Sequence, residues 1–249
     1  MSTLSLDMKV KAIRFRQEYR FAPTEPIKIG FSLSKLGVLA VFKPLGDSFS
    51  GMAIKENGIP AMVVNSKHAV GRQHFTVCHE LYHLFVQEDF TSFIACKTGA
   101  FPKNDPVELA ADYFASHLLL PEEGVLSLIP PEELGGKDKI TLATLLKIEQ
   151  YYSCSRAMLL RKLKEWAFIS SNFYDVNSTG VKLSAITYGY SKELYEAGNE
   201  GLVVGGYGEL ANFLYDNELI SESNYLSLML DIGKDIESEK NETIVDEEF

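Results

Sequence analysis

His79-Glu80-Leu81-Tyr82-His83 reads H-E-x-x-H inside a segment, residues 73–86, whose apolar spacing predicts a helix. On a helix each residue advances ~100°, so His79 and His83 fall ~40° apart, one turn from each other, with Glu80 on the same side. Val77, Leu81, Leu84 and Phe85 fall on the other side and predict a packing face. Two imidazoles at this spacing can share one zinc ion, and the adjacent carboxylate can take a proton from water at the metal. The motif therefore predicts a metal centre with His79 and His83 as ligands and Glu80 as catalytic base.

A catalytic zinc needs a third protein ligand and an open fourth position. Three residues are candidates. Asp89 lies six positions past His83, but Val86 stands where a chain-reversing glycine is usual in short zinc motifs of that kind. His117 and Glu108 share a second predicted helix. Asp105-Pro106 reads as its start, with Asp as N-cap and Pro at the first helical position, and Pro121 ends it. On a straight helix His117 points ~180° from Glu108, so one metal cannot take both. Glu108 is preferred, because Asp112 on the same face is then placed to accept the second N–H of a ligand histidine.

Phe75-Thr76-Val77-Cys78-His79-Glu80-Leu81-Tyr82-His83, followed by the run from Glu108 to Pro121, resembles the ImmA/IrrE metallopeptidase family. The likeness covers roughly residues 25 to 165. It implies a zinc endopeptidase with His79, His83 and Glu108 as ligands and Glu80 as base. Two departures stand out: Tyr82 replaces a common glycine, which would narrow the cleft, and Asp112 replaces a frequent asparagine. The implied substrate is a basic helix-turn-helix transcriptional repressor or related regulatory partner. Its cleavage would relieve repression in a prophage, mobile-element, stress or toxin–antitoxin setting. A binding module that sequesters a repressor or neutralises a toxin is the alternative. A transcription factor that contacts DNA directly is less favoured.

The chain has 249 residues, 46% of them hydrophobic, and a formal net charge of −10. That charge disfavours long-range attraction to nucleic acid and suits a basic protein partner. No apolar run approaches the ~20 residues of a membrane span. Residues 1–20 show no apolar core of a signal peptide. With three cysteines, the expectation is a cytoplasmic protein with reduced thiols. Cys78 reads as a small buried residue.

The expected fold class is α+β: a zincin-like core with a small antiparallel sheet, the H-E-x-x-H helix and the Glu108 helix, then a helix-turn-helix-like segment and a mostly helical C-terminal region. The expected domains are 1–130 for the peptidase, 131–168 for the helix-turn-helix-like segment, 169–236 for a sensor or partner region and 237–249 for an acidic disordered tail. Residues 1–24 suggest a helix with a solvated basic face. Residues 28–66 read as strands, with Asn57-Gly58 as a hairpin turn and Pro60 marking an edge strand beside the cleft. Residues 87–104 and 121–138 read as loops. Thr141 and Ser155 cap two short helices around Ser153-Cys154-Ser155. The second carries Arg156, Arg161, Lys162 and Lys164. Gly206-x-Gly208-x-x-Ala211 matches a dinucleotide fingerprint only superficially, since a helix rather than a strand is expected after it.

Overall fold

The computed structural model describes residues 2–56, 58–90, 93–96 (backbone) and 105–231. The turn residue Asn57, the side chains of Phe93, Ile94 and Cys96, Phe101 and the acidic tail lie outside the described residues.

The helices in chain order are α1 (Thr3–Glu18), α2 (Ile29–Lys35), α3 (Val70–Phe85), α4 (Pro106–Leu119), α5 (Glu122–Leu128), α6 (Pro131–Leu134), α7 (Leu142–Tyr152), α8 (Arg156–Glu165), α9 (Ser171–Asn177), α10 (Val181–Thr187), α11 (Tyr207–Asp216) and α12 (Glu222–Asp231). The strands are β1 (Leu39–Lys43), β2 (Gly51–Glu56), β3 (Ile59–Asn65), β4 (Phe93–Cys96) and β5 (Val203–Val204). They form one sheet in the order β4-β2-β3-β1-β5. The chain is thus α+β, with a small sheet, the H-E-x-x-H helix, the Glu108 helix and a helical C-terminal half.

The sheet is mixed rather than wholly antiparallel. β2 and β3 form the expected hairpin, closed by the Glu56–Ile59 pair, and Gly58 takes φ +82°, which only glycine adopts at little cost. β1, however, runs parallel to β3. β3 is therefore internal, not the edge that Pro60 suggested. The proline is tolerated because the β1 ladder begins only at Ala61, so no hydrogen bond to β1 is lost at position 60. The edges are β4, which pairs with β2, and β5, which covers β1.

Three further segments differ from the sequence reading. Residues 29–35 are a helix, with Ile29, Ser32 and Leu33 buried at helical spacing. β4 lies within the expected loop 87–104. Residues 121–138 contain α5 and α6, whose prolines precede or open the helices, with acidic residues in each first turn.

α4 packs between α1 and α3, and α3 also lies against β2 and β3. Phe15, Phe85, Phe114 and Tyr82 interlock there as edge-on and tilted rings. Tyr82 puts its bulk into this core, beside Phe114, rather than out into the cleft. The same hydrophobic cluster takes in Leu145, Ile148, Leu159 and Leu163 of α7 and α8. The turn between those two helices packs on α3. A methyl at Gly71 would meet Ser155 N at 2.9 Å, and His74 Nδ1 lies 2.8 Å from the Ser153 carbonyl.

Candidate metal centre

α3 begins at Ala69 without a side-chain cap. Its first N–H, on Val70, is taken instead by the Glu196 carbonyl at 2.9 Å. From there the helix runs through the sheet-facing layer, and its polar face is not a solvent face. His79, Glu80 and His83 are each fully buried, as are Val77 and Cys78 on the packing side. α4 and β2 cover what periodicity alone left open to water. Burial also pushes the Cys78 thiol up to about 12, so it is an unreactive core residue.

α4 starts where expected. Asp105 accepts hydrogen bonds from the backbone N–H groups of Val107 and Glu108 at 2.9 and 3.3 Å, and Pro106 opens the helix. That fixes Glu108 in the first turn, aimed at α3. Glu108 Oε2 is 3.3 Å from His79 Nε2, and its Oε1 is 3.5 Å from His83 Nε2. The two Nε2 atoms are 3.2 Å apart. His79, His83 and Glu108 are the group of donors among the described residues that could hold a metal ion.

The outer nitrogens decide what the inner ones offer. His79 Nδ1–H donates to Asp112 Oδ1 at 3.0 Å, and His83 Nδ1–H donates to Gln87 Oε1 at 2.7 Å. In neutral rings this leaves both Nε2 lone pairs facing each other and a carboxylate. Burial, and next the neighbouring His79, hold the His83 pKa below the ordinary imidazole value. Three electron-pair donors turned on one point fit a cation and little else. Phe75 and Phe90 flank the two imidazoles, with ring centroids 6.4 Å from His79 and His83 respectively.

Asp112 therefore lies where a partner of His79 is needed. Gln87 is a contact the sequence reading missed. It sits four residues past His83, so helical spacing pointed to it, but it lies beyond the end of the apolar pattern. The other two ligand candidates lie elsewhere. Asp89 is exposed on the following loop and is not in the donor group. His117 is buried on the opposite face of α4, where its Nε2 lies 3.1 Å from Ser5 Oγ. The glycine-rich stretch after β5 forms no βαβ unit: α11 and α12 follow as a helical pair.

Glu80 is held from outside its own helix. A Cβ at Gly51, the first residue of β2, would lie 2.8 Å from Glu80 Oε1 and 2.5 Å from Thr76 Cγ2. The absence of a side chain there lets β2 close directly over the Glu80 carboxylate.

Comparison with known proteins places this geometry in a family. Among solved structures, a "Mycobacterium tuberculosis transcriptional regulator" aligns with a TM-score of 0.42 and 15% identity, covering 64% of this chain and 46% of that one. The chain thus spans under half the length of that neighbour. No curated protein matches the sequence. The family model described as the IrrE N-terminal-like domain, Peptidase_M78, matches residues 33–164. That span is more than half of the chain and contains both histidines, Glu80 and Glu108, so the protein belongs to the Peptidase_M78, ImmA/IrrE-type metallopeptidase family.

Proposed function

We propose that the protein is a zinc-dependent endopeptidase. It hydrolyses a peptide bond in a helix-turn-helix transcriptional repressor or a related regulatory partner, and so relieves repression. The observation that carries this reading is the donor triangle. Tetrahedral ligands with Zn–N and Zn–O bonds of ~2.0–2.1 Å stand ~3.3–3.4 Å from one another. His79 Nε2 and His83 Nε2 are 3.2 Å apart, Glu108 stands 3.3 Å from His79 through Oε2 and 3.5 Å from His83 through Oε1, and one ligand atom from each of the three lies within 4.8 Å of the other two. The three residues would hold the ion, and Asp112 and Gln87 would fix the two rings in the tautomer that binds it.

When bound, zinc supplies a Lewis acid that polarises the scissile carbonyl and lowers the pKa of water towards ~7. Glu80 accepts the proton of the attacking water and delivers it to the leaving amine nitrogen. Its burial keeps bulk water from competing for that proton. The outer edge of β4 can take an extended peptide by main-chain hydrogen bonds. In this reading residues 1–130 are the peptidase unit, and the α7–α8 turn buttresses α3. The net charge of −10 suits a basic partner.

The test is zinc content by mass spectrometry on wild type and Glu108→Ala, followed by repressor cleavage in cells with Glu80→Gln. About one zinc per chain in wild type, and much less in Glu108→Ala, is expected. Equal metal in both removes Glu108 from the site. Full derepression by Glu80→Gln would replace proteolysis with sequestration of the partner.

A further inference from the structure

α1 carries two stripes of residues, each at alternating spacings of three and four. Ser5, Met8, Ala12 and Phe15 form the inner one and are buried. Thr3, Leu6, Val10, Ile13 and Gln17 form the outer one and are exposed. Leu6 is 55%, Val10 39% and Ile13 43% exposed. Residues at this spacing drift by only ~20° per seven on a helix, so the outer stripe is one straight seam over about four turns. It is the spacing by which two helices interlock their side chains as knobs into holes. A single exposed apolar residue is ordinary, but three at this period along one helix form a contact face.

The sequence suggested one solvated basic face on this helix, and the structure divides its charges. Arg16 is turned inward and buried, and its guanidinium donates to the carbonyls of Ala22, Glu25 and Leu118. Lys9 is held against α5 by Glu122 at 2.6 Å and Glu123 at 3.3 Å. On the other flank of the seam stand Asp7 and Arg14, each one residue past an apolar seam position. Lys11 lies 3.9 Å from Asp7, a solvent-exposed pair that contributes little.

Those two charges choose the partner. A net charge of −10 repels a second copy at long range, but α1 is itself basic, with four cations and two anions between Thr3 and Glu18. When two α1 helices pack antiparallel, with Val10 against Ile13 of the second copy, Asp7 comes alongside Arg14 of that copy and Arg14 alongside its Asp7. A two-fold axis makes each contact twice. In a parallel pair Lys9 would instead meet Arg14, a like charge, and Asp7 would meet Ser2.

We infer that α1 is a self-association face: two copies of this chain pair antiparallel through Leu6, Val10 and Ile13, with Asp7 of each copy against Arg14 of the other. Packing on α4 already orders the helix, so pairing does not have to fold it. The seam is short, and a weak dimer of roughly micromolar or weaker dissociation constant is expected. The inference does not rest on the peptidase reading, since none of His79, His83 and Glu108 lies on α1.

The test is sedimentation equilibrium of the full chain from ~5 to ~500 μM, a range that brackets such affinities. Wild type passes from monomer to dimer. Ile13→Glu puts a charge into the seam and weakens the dimer ~10-fold or more. Asp7→Arg and Arg14→Asp each weaken it ~3-fold or more, by setting like charges opposite each other twice. The double variant Asp7→Arg, Arg14→Asp recovers the wild-type constant, and the two single variants mixed form a heterodimer tighter than either homodimer. Asp7→Arg is the decisive arm, because it lowers the net negative charge and would strengthen an association limited only by overall repulsion. The three positions are exposed, and an unchanged circular dichroism spectrum checks that each variant keeps the fold. A monomer at every concentration overturns the assignment, as does a dimer unchanged in Ile13→Glu, which would lie on another face. Tighter association of Asp7→Arg, or a double variant no better than the singles, overturns the antiparallel pairing.

Discussion

A methyl group at position 51 would collide with Thr76 and press on the Glu80 carboxylate. Gly51→Ala is therefore expected to destabilise the chain by ~1–3 kcal/mol, the usual cost of overpacking, measured by urea denaturation. Under the proposed function, metal content should stay near wild type, because His79, His83 and Glu108 stand on α3 and α4. An unchanged denaturation midpoint would mean that β2 has more room over α3 than the structure shows. His117 gives a pH dependence. Burial first, then Lys162, lowers its pKa from 6.5 to about 4. The unfolded chain thus binds more protons than the folded one between those values, and stability rises with pH across that window. From pH 6.5 down to about 4 the group should remove up to ~3 kcal/mol of stability. His117→Gln should flatten that part of the denaturant-midpoint profile. A slope equal to wild type would assign the loss to other groups.

Among the elements, α8 shows how a helix with the spacing of a DNA reader can be occupied elsewhere. Of its basic residues, Arg156 and Lys162 are buried. Arg156 pairs with Glu149 of α7 and donates to the Asn177 carbonyl at 3.1 Å, and Lys162 belongs to the His117–Glu165 network. Only Arg161 and Lys164 face outward enough to meet a phosphate. Glu149 also accepts from Tyr195 at 2.7 Å, which ties the hairpin to the C-terminal region. Its carboxyl is pushed up by burial and held down by Arg156. Arg156→Ala strands a buried carboxylate and is expected to cost ~3–5 kcal/mol, read by urea denaturation. A loss below ~1 kcal/mol would mark the pair as solvent-screened.

Across the whole molecule, the C-terminal half reaches back to the H-E-x-x-H helix. Ala197 bridges to Ala69 at the start of α3. One buried side chain organises that junction. Gln73 Nε2 lies 2.7–3.1 Å from the carbonyls of Ser66, His68 and Gly198, which share its two N–H groups, and Oε1 accepts from Asn199 at 2.9 Å. Gln73→Leu leaves these groups unsatisfied, with an expected loss of ~1–3 kcal/mol and faster hydrogen exchange at the Val70 amide. Exchange at Val70 equal to wild type would show that the backbone bond to Glu196 holds the junction unaided. Among the described residues no helix is long and apolar enough to cross a membrane.

What could be read in advance follows the range of the interactions. The H-E-x-x-H helix, the Asp105-Pro106 start of α4, the Gly58 turn and the Thr141 and Ser155 caps are set by residues within a few positions of one another, and local stereochemistry writes them into spacing. So is the sharing of one face by Glu108 and Asp112, and even Gln87 lay within one helical turn of His83. Features made by distant segments had no such signature. Burial of the ligand face, the closure of Gly51 over Glu80, the internal place of β3, Arg16 turned inward and the 196–199 junction each depend on the close approach of chain far apart in sequence. Packing and desolvation decide them, and neither leaves a period in the sequence.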